Sequence, residues 1–150
     1  MSKVTPKTKC WDEYSQYIKV KSCLETTGIP FLGLCVTCGK QYHINFLEAG
    51  HLIGGRRNAV LFSEKLVNGQ CGICNRLLHG QSKKYKKAMY EKYGEERVKY
   101  WTARLLRKNI DDKNMNWDSR RARYKRKLKI LLRQHGYKTY KELLQEGGNF

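Results

Sequence analysis

The sequence contains no run approaching the ~20 consecutive apolar residues that a membrane-spanning helix needs. Its first nine residues, Met1 to Lys9, hold no apolar stretch of the kind found in a secretory leader. These absences predict no membrane partner and a cytoplasmic location (the host cytoplasm for a phage-encoded chain), where thiols stay reduced and cysteines serve metals rather than disulfides. Internal repeats, low-complexity tracts and any helix-turn-helix or other base-reading module are also missing. Acid is scarce: 13 Asp and Glu stand against 31 Lys and Arg, a formal charge of +18 on 150 residues. A single domain that basic repels itself unless a polyanion neutralises it. DNA does so, because its phosphates release condensed counterions when Lys and Arg approach. The rival, an anionic membrane surface, requires an amphipathic helix with one apolar face.

The chain reads as three parts: a basic disordered tail (1–9), an N-terminal helix with a metal-stabilised core (10–94), and a basic helical extension packed on that core (95–150). Trp11, Tyr14, Ile18 and the Val20/Leu24 side follow a helical period as far as Leu24. Short strands are expected near Phe46–Leu52 and Val60–Phe62, joined by the loop Gly54-Gly55-Arg56-Arg57-Asn58. Helices are expected over 74–79, over 82–93 closed by Gly94, from Glu95-Glu96 to about Lys108, and from a cap at Asp118 or Ser119 to about Gln134. A last short one carries the capping box Thr139…Glu142.

Cys35-Val-Thr-Cys38 and Cys71-Gly-Ile-Cys74 are two CxxC pairs. Each places two thiolates on one tight turn, and two such turns complete a tetrahedral zinc site. A closed four-thiolate site leaves no position for substrate, so this zinc is structural. Apolar buried cysteines or a redox pair would be the reading of one CxxC alone. Cys10 and Cys23 fall outside the pattern and read as helix-packing thiols. Between the pairs lies Glu48-Ala49-Gly50-His51, and Asn75 follows the last cysteine. A histidine in a hairpin and an asparagine opening the next helix is the HNH arrangement: the hairpin supplies a base, the helix a ligand for a divalent ion. The predicted fold is therefore α+β, a small ββα-metal (HNH) core with a four-cysteine zinc site followed by basic helices. His79, one helical turn beyond Asn75, is a candidate second ligand or phosphate contact.

CVTCG (35–39), LEAGH (47–51), LFSE (61–64) and QCGICN (70–75) resemble the phage lambda NinG family, also called Rap. Tyr85, Gly94-Glu95-Glu96, Val98 and, more weakly, Trp117 continue the likeness over roughly 11–134. The paired knuckles followed by asparagine are also similar to the endonuclease VII junction resolvases. The resemblance implies a recombination endonuclease cutting branched DNA such as D-loops, flaps and Holliday junctions, with a homodimer suited to symmetric junctions. It makes Cys35, Cys38, Cys71 and Cys74 zinc ligands, His51 the general base, and Asn75 and Glu48 ligands of catalytic Mg²⁺ or Mn²⁺. Two positions depart from the pattern. Gly50 stands where HNH nucleases usually carry Asp, and Glu48 stands where Asp is commoner in the family. The asparagine that often braces the HNH loop is replaced by Leu66; Asn68 is the alternative brace, though its spacing is off.

Lysines 83, 84, 86 and 87 follow the candidate site, as do Arg120, Arg121, Arg123, Lys125, Arg126, Lys127 and Lys129 on a later helix. Such single-sign density suits phosphate tracking rather than base reading. Arg56 and Arg57 are expected to grip the scissile strand, and Arg76 is a further expected DNA contact. Two alternatives stay open: a sequence-specific homing or restriction-type nuclease, and a zinc-ribbon DNA-binding protein without catalysis.

Overall fold

The computed structural model describes residues 3–55 and 57–147. Its first helix, α1 (Pro6–Thr27), starts earlier than the expected tail allows. Pro6 sits in the first turn, where its missing N–H is no loss, and Thr5 caps the turn by accepting a hydrogen bond from the Thr8 N–H. The disordered tail therefore does not extend through residues 6–9. Gly28 ends the helix in a left-handed conformation that returns its N–H to Leu24.

Two small antiparallel sheets follow. Strands β1 (Leu32–Leu34) and β2 (Gln41–His43) form the first, and β3 (Leu47–His51) and β4 (Val67–Cys71) the second. In the second sheet Leu47 faces Cys71, Glu48 faces Gln70, and His51 faces Val67. The strand expected at Val60–Phe62 is instead the end of a short helix, α2 (Asn58–Leu61). Asn58 fixes this helix by donating its side-chain amide to the Ile110 carbonyl and the Asp112 carboxylate. The true partner strand, Val67-Asn-Gly-Gln-Cys71, is buried at all five positions, so it lacks the polar–apolar alternation that marks a half-exposed strand.

After β4 comes a single π-helical turn, Ile73–Leu77, not an α-helix reaching His79. His79, Gly80 and Gln81 all have positive φ. Helices α3 (Ser82–Tyr93), α4 (Glu95–Arg107), α5 (Trp117–Gln134) and α6 (Tyr140–Leu144) complete the chain. Asn116, rather than Asp118 or Ser119, caps α5. Thr139 caps α6 by accepting from the Glu142 N–H, and Glu142 answers by accepting from the Lys138 N–H.

Two apolar clusters hold these elements. One joins α1 (Cys10, Tyr14, Ile18, Cys23) to β3, Phe62, α5 and Leu143. The other joins Leu52, α2 and Leu66 to Tyr85, Met89, Val98 and Leu105. Cys10 and Cys23 are fully buried in the first, as packing thiols should be. Gly69 is required where α1 crosses β4, since an added Cβ would lie 2.9 Å from the Ser22 hydroxyl oxygen that accepts the Gly69 N–H. No helix among the described residues is long and apolar enough to cross a membrane.

Candidate functional site

The four thiols of the CxxC pairs converge. Cys35 and Cys38 lie in the turn after β1, Cys71 ends β4, and Cys74 lies in the π turn, with all four Sγ atoms within 4.8 Å of one another. Tetrahedral zinc with ~2.3 Å bonds to sulfur needs S···S separations of about 3.8 Å, so this cluster could hold such an ion. Backbone N–H groups point at the sulfurs: Cys71 N–H donates to Cys35 Sγ at 3.3 Å and Cys74 N–H to Cys71 Sγ at 3.5 Å. Burial pushes the Cys35 and Cys74 thiols up. Burial also opposes ionisation of Cys71, but hydrogen bonds from Cys74, Tyr42 and Cys35 outweigh it and bring that thiol down to about 7. Four thiolates this close repel one another, and a divalent cation is what makes their joint ionisation favourable.

The first turn is tied to the second by Gln70, which is fully buried. Its amide donates to Thr37 Oγ1 at 2.7 Å and to the Gly80 carbonyl at 2.9 Å. The same side chain explains Gly50. A Cβ there would collide with the Gln70 side chain, so the aspartate usual before the histidine has no room.

Glu48 projects from β3 toward the π turn. Its carboxylate accepts a hydrogen bond from the Asn75 amide at 2.8 Å and pairs with Arg76 Nε at 2.7 Å. Glu48 and Asn75 thus meet beside the cysteine cluster. Their carboxylate and amide oxygens are hard donors of the kind that bind Mg²⁺ or Mn²⁺. Arg76, 74% exposed, supplies the positive charge next to them.

His51 has different neighbours. Side chains alternate along a strand, so positions 48 and 51 lie on opposite faces of β3. The His51 ring stacks on Trp11 with centroids 5.4 Å apart, and its Nε2 lies 3.1 Å from the Leu61 carbonyl. A carbonyl only accepts, so Nε2 carries the proton and Nδ1 the lone pair of the neutral ring. Burial holds the imidazole below its usual range, with the Leu61 bond a smaller opposing effect. The turn bearing Leu61 is itself anchored to α1, where Tyr14 donates to the Ser63 carbonyl and Lys21 to the Glu64 carbonyl. Position 68 faces Gly50 across the sheet. Asn68 donates to the Tyr85 hydroxyl, which donates to the Gly50 carbonyl, bracing the residue before His51.

The remaining candidates divide. His79 is exposed and follows the end of the π turn with φ +53°, so it does not share an α-helical face with Asn75 and has no contact with Glu48. Arg57 is exposed and donates Nη2 to the Leu106 and Lys108 carbonyls, closing the C-terminal end of α4. Arg56 lies outside the described residues. Lys83, Lys84, Lys86 and Lys87 form the exposed face of α3, whose buried face carries Tyr85 and Met89. On α5, Arg123 and Arg126 are exposed, Arg120 lies over the Phe62 ring, and Arg121 approaches Glu13 at 3.8 Å. Asn68, out of register for the bracing asparagine in the sequence, nevertheless braces the loop through Tyr85, while Trp11, the Leu61 carbonyl and Gln70 escape a sequence reading because each contact is made between elements. Tyr85, present in the sequence likeness, gains its role only through the Gly50 contact.

A family model described as Bacteriophage Lambda NinG protein matches residues 5–134, most of the chain. The chain belongs to the NinG family. The matched segment contains all four cysteines, Glu48, His51 and Asn75, and ends with α5. No curated protein and no solved structure matches the chain.

Proposed function

We propose that this member of the phage recombination-related NinG family is a metal-dependent DNA endonuclease of the HNH type, acting on branched DNA. The observation that carries the reading is the meeting of Glu48 and Asn75, from hairpin and following turn, beside a four-cysteine cluster that fixes one to the other. The strand–strand–helix order of β3, β4 and the π turn agrees with a ββα core. Glu48 and the Asn75 amide oxygen would hold Mg²⁺ or Mn²⁺, which would supply Lewis-acid stabilisation of the negative charge on the phosphate and the leaving 3′ oxygen. His51 Nδ1 would take one proton from the attacking water as its oxygen bonds to phosphorus. The P–O3′ bond then breaks, leaving a 5′-phosphate and, after protonation by solvent, a 3′-hydroxyl. Arg76 and the α3 lysines would hold the flanking phosphates.

The test is cleavage of supercoiled plasmid and of a panel of junction, flap, D-loop and linear substrates with Mg²⁺ or Mn²⁺. His51→Ala should reduce cleavage by a factor on the order of 10² or more while sparing DNA binding. Asn75→Ala should also reduce it, with partial recovery at high metal concentration, which a missing base does not allow. One observation favours a second reading, a zinc-held DNA-binding module without catalysis. His51 stands on the face of β3 opposite Glu48, with one ring face against Trp11. DNA binding with no cutting by the native protein would decide for that reading, whereas native-rate cutting by His51→Ala would remove His51 as the base and with it the HNH assignment.

A further inference from the structure

Most ion pairs of this basic protein lie away from one region. A cleft of about 440 Å³ opens between α4 and α5, with the loop 62–66 and α2 completing its walls. Lys65, Arg104, Lys108, Arg120 and Arg123 line it. Its one acidic wall residue, Glu64, is already matched by Lys127 at 2.6 Å. Among the described residues no carboxylate pairs with any of the five cations, whereas Lys7, Lys21, Arg76, Lys92, Lys99 and Arg121 all have acidic partners. Five unmatched like charges on facing walls repel unless an anion lies between them.

The aromatic groups narrow the choice of anion. Lys65 covers the Trp101 ring at 4.7 Å, and Tyr93 meets that ring edge-on. Tyr100 has the Arg104 guanidinium over its ring at 5.6 Å and accepts a hydrogen bond from Arg104 Nη1 at 2.9 Å, yet it remains 57% exposed. An aromatic ring more than half exposed, with a guanidinium over one face and further cations beside it, suits a stacked base linked to phosphates. Size excludes a duplex. A duplex presents two backbones and a full stack of base pairs, while a cleft of about 440 Å³ is of small-molecule dimensions and has room for only a nucleotide or so of one strand.

We propose that the α4–α5 cleft takes an unpaired DNA strand, with its phosphates between Arg104 and Lys108 on one wall and Arg120 and Arg123 on the other, and a base stacked on Tyr100. The proposal rests on the DNA reading above and adds to it a site for the single-stranded part of a branched substrate. It concerns none of the residues assigned to cleavage.

The test is fluorescence anisotropy of the full chain, zinc-loaded and without added Mg²⁺, on labelled oligo-dT of about 12 nucleotides and on a blunt duplex of equal length. Arg104→Ala with Arg123→Ala should weaken oligo-dT binding tenfold or more and flatten its salt dependence by about 1.4 in slope, two contacts at ~0.7 each. Duplex binding should change far less. Tyr100→Ala should weaken oligo-dT on the order of tenfold, Tyr100→Phe should restore it, and inorganic polyphosphate should bind all three alike. Tyr100 is largely exposed, so its variants read the cleft even where the double substitution disturbs folding. Unchanged oligo-dT affinity, equal loss for strand and duplex, or equal displacement by polyglutamate of matched charge would each overturn the proposal. Strand binding without cleavage leaves the cleft standing and removes the nuclease reading; cleavage without strand binding does the reverse.

Discussion

One nitrogen of His51 meets the Leu61 carbonyl while the other has no partner among the described residues, so the state of Nδ1 is set by pH alone. Burial holds this imidazole below the ordinary value of about 6.5. Cleavage, as kcat/KM, should therefore rise with pH to a midpoint below about 6.5 and level off above it. A midpoint above that value would remove His51 as the base. The sign for stability runs the same way. Above about 6.5 the ring is neutral folded or unfolded, and below it the unfolded chain takes the proton more readily, so acid destabilises the fold. The sequence pattern is enough to select His51 and the Glu48–Asn75 pair as candidates. It does not reveal that Trp11, forty positions earlier, covers the ring, nor that Gln70 fills the space an aspartate at position 50 would need. Those are contacts between elements, and no local period encodes them.

The cysteine cluster joins the turn after β1 to the end of β4 and the π turn. β1 and β2 form one small sheet, β3 and β4 another, and the π turn hangs from β4. A two-stranded sheet is marginal on its own, so the cluster and Gln70 act together with α1, whose Ser22, Thr26 and Thr27 side chains bond β4 and β1. Elemental analysis of the purified protein should find about one tightly bound zinc per chain, and Cys35→Ser or Cys74→Ser should lose zinc and folding together. A folded, zinc-free protein would refute the structural role. Element by element, the helices at 82–93, 95–107 and 117–134 are legible because glycine, paired acids and apolar spacing punctuate them. β4 is not, since its five buried residues include Asn68, Gly69 and Gln70 and carry no alternation. The π turn is equally hidden: Gly80 signals an ending, but nothing local signals the widened turn before it.

Across the whole molecule, the charge excess is unevenly available. Arg121 and Lys127 approach Glu13 and Glu64, and Arg57 closes a helix end, so these cations serve the fold. Lys125, Arg126 and Lys129 are exposed on α5 and have no acidic partner among the described residues. Replacing these three by Gln should leave thermal stability nearly unchanged and flatten the salt dependence of duplex binding by up to about 2.7 in slope, ~0.9 per phosphate contact. An unaltered slope would show that the duplex runs elsewhere. The count of basic residues is plain in the sequence, but their division into fold-serving and free groups depends on which acids lie near them in space.

Tyr14 of α1 and Tyr124 of α5 meet at 5.1 Å although more than a hundred residues separate them. On the ribosome, at ~5–20 residues per second, the first helix therefore waits roughly 5–20 s for its partner. All four cysteines are synthesised within that interval. Nascent chains halted before Trp117 should accordingly capture zinc yet leave α1 open to protease, and protection should arrive only once α5 has emerged. Protection of α1 in the shorter chains would show that the helix finds its place without α5. If α5 is needed, the last third of the chain decides when the first third becomes safe.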